Sequence, residues 1–193
     1  GRIDLGDSLD NISIGREAGD AHTTGNDCIA IGAYALTVNT TGQDNTAVGG
    51  GALGANTTAS NNTAVGSNCL AGNTTGAECV AVGHDVMESS NATGNTAVGF
   101  EAMKPLSTGT HNTAIGHNTL RSCTTGITNV ALGVNALYAV TTSSNNTGVG
   151  ADAGQSITTG DNNLMLGHDA GRTNSPSGNI TTGSHNVCLG SND

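Results

Sequence analysis

Along the chain, short alternating segments of large and small residues end on glycine at a nearly constant interval. Asn45-Thr46-Ala47-Val48-Gly49 recurs as Asn62-Thr63-Ala64-Val65-Gly66, Asn95-Thr96-Ala97-Val98-Gly99 and Asn112-Thr113-Ala114-Ile115-Gly116. Looser copies run from Asn11-Ile12-Ser13-Ile14-Gly15 to Asn186-Val187-Cys188-Leu189-Gly190. The closing glycines fall at 15, 32, 49, 66, 83, 99, 116, 133, 150, 167 and 190. The step is 17 residues except for one of 16, between Gly83 and Gly99, and one of 23, between Gly167 and Gly190. Self-similarity at a fixed short period is the mark of a stacked repeat architecture.

Columns follow from the register. Just before the glycine stands a large aliphatic residue, such as Val48, Val65, Ile115 and Leu132, and two earlier a mostly β-branched one, such as Ile29, Thr46, Val80 and Thr113. Period two places both columns on one face of a strand. The column between them is small: Ala30, Ala47, Ala64, Ala81, Ala97, Ala114 and Ala131. The expectation is that the large columns fill the coil. The alanine face is then crowded, either by a second strand or by a neighbouring chain.

Four residues before the glycine the column is Asn, with Cys28 and Cys79 as exceptions. Stacked asparagines form side-chain amide ladders. That ladder is assigned to Asn45, Asn62, Asn95, Asn112, Asn129, Asn146 and Asn163. After the glycine come two turn positions and then pairs such as Ala35-Leu36, Ala52-Leu53 and Ala136-Leu137, which predict a shorter second strand. A Thr-Thr-Gly corner closes most units, as at Thr41-Gly42 and Thr125-Gly126. Pro105 is taken to accommodate the shortened unit. The expected fold is all-β, a parallel β-roll or β-solenoid of about eleven 17-residue coils, forming one domain over residues 1–193 with a coil-breaking insertion near 171–180.

Ordering a 17-residue unit costs about 17–34 kcal/mol of backbone entropy. Two or three buried aliphatics return about 1.5–3 kcal/mol each. One coil therefore has no independent stability, and each must pair with the coils above and below.

Composition narrows the function. There are 30 Gly but one Phe, two Tyr and no Trp, so a thick aromatic core is excluded. The formal charge of −10, with Lys104 and four arginines as the only fixed cations, argues against nucleic-acid binding and anionic membranes. No apolar run is long enough to insert in a membrane. Five cysteines without a CxxC pair predict free thiols, with neither zinc nor a disulfide framework.

The Asn45–Gly49 type of segment resembles the S-V-A-I-G repeat of the YadA-like head of trimeric autotransporter adhesins. Together with the A-L and T-T-G elements, it also resembles repeats that precede intramolecular chaperone domains in phage tail fibres. The resemblance spans residues 11 to 190. It implies a left-handed β-roll packed side by side as a homotrimer, on a virion or a cell surface, with a host glycan or protein as partner.

Nothing in the chain has the pattern of a catalytic centre, and no enzyme activity, metal or cofactor is expected. Histidines after the glycine (His84, His117, His168) and acids two after it (Glu17, Asp85, Glu101, Asp152, Asp169) read as repeated exposed columns. Asp152 and Asp169 lie one coil apart, but like environments do not separate two pKa values as acid–base catalysis requires. The insertion is the candidate recognition element, with Arg172, Thr173, Asn174, Ser175 and Asn179 as its binding residues. The alternative function is ice or small-ligand binding on a repetitive face, the Thr-Thr corner being the candidate ice surface.

Overall fold

The computed structural model describes residues 2–5, 9–172 and 180–190. Its strands are β1 (Arg2–Leu5), β2 (Ile12–Gly15), β3 (Ile29–Ile31), β4 (Thr46–Val48), β5 (Thr63–Val65) and β6 (Val80–His84). They continue as β7 (Thr96–Phe100), β8 (Thr113–Ile115), β9 (Val130–Leu132), β10 (Thr147–Val149), β11 (Leu164–Leu166) and β12 (Val187–Leu189). All twelve form one sheet in chain order. β1 runs antiparallel to β2, and every later pairing is parallel, with equivalent residues in register, as Ala97 opposite Ala114. The chain is a parallel β-solenoid. Nine complete turns lie between β2 and β11, and the turn leading to β12 passes through residues 173–179, outside the described set.

The strand column that faces inward is the alanine column. Ala30, Ala47, Ala64, Ala81, Ala97, Ala114 and Ala131 are fully buried, whereas the Thr and Val columns beside them are half-buried or exposed. This reverses the expected filling. In these coils the opposite wall lies close to the strand, and a methyl group and one leucine fill the space between them. At Gly148, where the column lacks its methyl, an added Cβ would stand 2.8 Å from Leu137 Cγ.

That opposite wall is not a second strand. Leu36, Leu53, Leu70, Met87, Met103, Leu120 and Leu137 have positive φ values between 46° and 53° and lie in turns, although their side chains are fully buried. Such a conformation is uncommon for a bulky residue. Stacking holds it in place: Leu36 N–H donates to Ala52 O at 3.1 Å and Leu53 N–H to Cys69 O at 3.0 Å. The closing glycines are required by the same closeness. At Gly116 (φ +135°) a Cβ would meet Gly133 O at 2.6 Å.

Asparagine joins the corner to the strand. Asn129 Nδ2 donates to Ser143 O at 2.9 Å and to Asn112 Oδ1 at 3.1 Å, while Asn129 Oδ1 accepts from Asn146 N–H at 3.0 Å and Asn146 Nδ2 at 3.2 Å. The direct amide ladder runs through Asn95, Asn112, Asn129, Asn146, Asn163 and Asn186. Asn45 and Asn62 connect through the Asn62 N–H, at 3.0 Å from Asn45 Oδ1. Cys28 and Cys79 keep the donor function, their thiols pointing at Gly42 O (3.4 Å) and Ala92 O (3.1 Å), the carbonyls an Asn would use.

A second buried column lies seven residues after the glycine: Asn39, Asn56, Asn73, Ser90, Leu106, Cys123, Val140 and Ile157. Its first three members form another amide ladder, Asn56 Nδ2 to Asn39 Oδ1 at 2.9 Å and Asn73 Nδ2 to Asn56 Oδ1 at 3.3 Å. Beyond Ser90 the column turns apolar.

The missing residue of the short unit is replaced by Asn91 rather than accommodated at Pro105. In the regular corners one threonine carbonyl receives neighbouring N–H groups of the preceding coil, as Thr57 O does from Thr40 and Thr41. In the short coil Asn91 Oδ1 takes that place, accepting from Thr74 N–H (2.7 Å), Thr74 Oγ1 (2.8 Å) and Thr75 N–H (3.3 Å). A side-chain carbonyl substitutes for an absent backbone one, and the stack continues in register.

Candidate functional site

Three features are left on the outside once the coil is closed: the outward sheet face, a column of charged residues, and a stack of rings. The outward face carries two side chains per coil. Val65, Val80, Ile115, Val130 and Leu132 are 36–40% exposed, and Thr46, Thr63, Thr96, Thr113 and Thr147 share the same side. With a spacing of about 4.8 Å per coil, this strip runs for some tens of ångströms along the rod. Isolated exposed aliphatics are ordinary; here they line up coil after coil along one face.

On β6 and β7 the strip widens, since alternation places His84 and Phe100 on the same side as Val82 and Val98. Phe100, the sole phenylalanine, is 45% exposed and lies between two imidazoles. Its ring centroid is 5.6 Å from His84, at 14° between planes, and 5.3 Å from His117, at 11°. These distances follow the coil spacing, so the rings cover one another's faces.

The acids two residues after the glycine form a column with cations five residues after it. Lys104 Nζ lies 2.8 Å from Asp85 Oδ2, 3.0 Å from Glu101 Oε1 and 3.4 Å from Glu88 Oε2, and Arg121 Nε lies 2.9 Å from Glu101 Oε2. Hydrogen bonds from Lys104 hold both the Asp85 and Glu101 carboxyls below the usual carboxylate range, and Arg121 adds to the effect on Glu101. The same bonds raise the Lys104 ammonium above its ordinary value.

The pattern recurs between the coils that open at Gly150 and Gly167. Asp152, His168 and Asp169 bring one ligand atom each to within 4.8 Å of one another. His168 Nδ1 is 3.4 Å from Asp169 Oδ2, and Arg172 Nη1 is 2.9 Å from Asp169 Oδ1. Asp152 Oδ1 accepts from Asn135 Nδ2 at 3.0 Å and from Gln155 Nε2 at 2.9 Å. The sequence placed these residues in columns but did not show that three would converge.

Of the predicted recognition residues, Arg172 is exposed and paired with Asp169, while Thr173, Asn174, Ser175 and Asn179 lie outside the described residues. The Thr-Thr corner is largely committed to the stack, because first-threonine hydroxyls donate to the next coil: Thr40 Oγ1 to Thr57 O at 3.0 Å, Thr124 Oγ1 to Thr141 O at 3.2 Å. Cys28, Cys69, Cys79 and Cys123 are buried free thiols, and burial raises their pKa, for Cys123 to about 11. They are small core residues without nucleophilic character. Among the described residues no helix is long and apolar enough to cross a membrane.

Comparison with protein-family models, with curated proteins and with solved structures gives no match to this chain.

Proposed function

We propose that the chain is a structural segment of an extracellular fibre, a viral tail fibre or an adhesin-like surface attachment protein. In it, three left-handed rolls pack side by side through their outward sheet faces. The segment serves as a spacer or a receptor-binding platform and has no catalytic role. The observation that supports this reading most is the unpartnered strip of Thr, Val, Ile and Leu along the sheet. A coil whose own core is mostly alanine methyls and single leucines is thin, and covering the strip with further copies supplies apolar burial that one copy lacks. The resemblance of the repeat to trimeric adhesin heads and tail fibres points the same way. Chemical crosslinking of dilute protein tests it: three-chain species are expected to dominate. Substituting Ile115→Lys and Leu132→Lys together is expected to abolish them while the far-UV spectrum stays that of a β protein.

A second reading rests on Thr46, Thr63, Thr96, Thr113 and Thr147. They stand on the outward sheet face in adjacent pairs, Thr46 with Thr63 and Thr96 with Thr113, separated by Val80 and followed by Val130 and Thr147, a better-placed ice face than the corner threonines. It requires the strip to stay open to water. Thermal hysteresis from an uncrosslinked single chain would favour ice binding and count against the fibre reading.

A further inference from the structure

We propose that Asp152, His168 and Asp169 form a binding site for a divalent transition-metal ion of the zinc class. The inference is independent of the fibre reading. The donor set is two carboxylates and one imidazole, a mixture that suits zinc, nickel or cobalt better than the all-oxygen preference of magnesium and calcium. Their ligand atoms lie within 4.8 Å of one another, and His168 Nδ1 and Asp169 Oδ2 are already 3.4 Å apart. Tetrahedral ligands about 2.0–2.2 Å from zinc lie about 3.3–3.6 Å apart. Closing the triad draws together an exposed imidazole and two half-buried carboxylates.

Both carboxylates are oriented by outer partners. Asn135 and Gln155 both donate to Asp152 Oδ1, and Arg172 engages Asp169 Oδ1. Asp169 Oδ2 is thereby left beside His168 Nδ1, and such outer-shell hydrogen bonds are what orient metal-binding carboxylates.

The repeat supplies a second, separate observation. At the equivalent positions of the coils that open at Gly83 and Gly99, a cation does sit between the acids of adjacent coils: the Lys104 ammonium bridges Asp85 and Glu101. In the later pair of coils, the residue equivalent to Lys104 is Arg172, and its ion pair among the described residues reaches Asp169 alone. The residue equivalent to Glu88 is Gln155, which donates to Asp152. Two carboxylates on neighbouring coils thus face each other without the bridging cation that their counterparts hold, and His168 adds a nitrogen donor beside them. Bound metal would staple two coils where the repeat is about to be interrupted.

Isothermal titration of the whole chain with zinc chloride tests the proposal, with His168→Ala, Asp152→Asn and a magnesium titration alongside. One equivalent per chain is expected, weakened at least about tenfold by either substitution while far-UV circular dichroism is unchanged, and not reproduced by magnesium. Absence of zinc binding, equal binding of magnesium, or zinc affinity unchanged by either substitution would overturn it.

Discussion

Asn129 shows what one polar side chain does in this stack. It is fully buried, donates to a corner carbonyl and to the preceding amide, and accepts from the next coil. Asn129→Ala leaves the Asn146 N–H and the Ser143 carbonyl without their partners. Each buried orphan costs about 1–3 kcal/mol, so a loss of about 2–6 kcal/mol is expected in urea unfolding. Lys104 is the contrasting case, since its contacts are with side chains at the surface. Asp85 and Glu101 titrate lower folded than unfolded, so the stability they contribute is complete above their unfolded values of about 4 and is lost as pH falls through the folded ones. The urea midpoint is expected to fall with acidification below about pH 4, and less steeply in Lys104→Met than in the native chain. A parallel fall in both proteins would show that the network plays no part.

At the scale of the single coil, the parity of the strand was legible and its sense was not. Period two put Thr46 and Val48 on one face and Ala47 on the other. Hydrophobicity alone then favours valine inside, and the structure buries alanine because the facing leucine leaves room for little more than a methyl; Met165 is buried in the same column where Gly154 and Gly171 stand in the leucine positions. Nothing in Leu36 or Leu53 announces a left-handed backbone, since leucine has no local preference for it; stacking against identical neighbours imposes it. The column Asn39, Asn56 and Asn73 was visible at a fixed distance after the glycine, but it is masked by the apolar residues that replace it from Leu106 onward. Asn91 occupies two threonines' place, and only the hydrogen bonds reveal that its side chain imitates a carbonyl. The triad of Asp152, His168 and Asp169 was legible as spacing; its convergence depends on rotamers. The inward assignment has a direct consequence: Ala114→Leu is expected to lower stability by about 1–3 kcal/mol through overpacking, although it adds apolar surface. Ile115→Lys, one residue away, is expected to leave the fold of the coil intact. Calorimetric or urea unfolding of the two variants gives the order, and the reverse order would contradict the assignment.

In the whole molecule the alanine face closes the coil, and the proposed fibre covers the face of threonine, valine, isoleucine and leucine with other copies. The first is seen in the burial of the column, and the second is the step from fold to function. Sequence and structure contribute differently to it. The repeat carries the resemblance to trimeric fibres, and the structure shows which residues are left facing outward, with Phe100 and its flanking histidines at the widest part of the strip. The most direct test is the mass of the native particle by sedimentation equilibrium at micromolar concentration. The account predicts three times the 18.9 kDa of one chain, falling to one chain when Ile115 and Leu132 are both replaced by lysine. A particle of 18.9 kDa in the native protein, folded and stable across the concentration range, would contradict it.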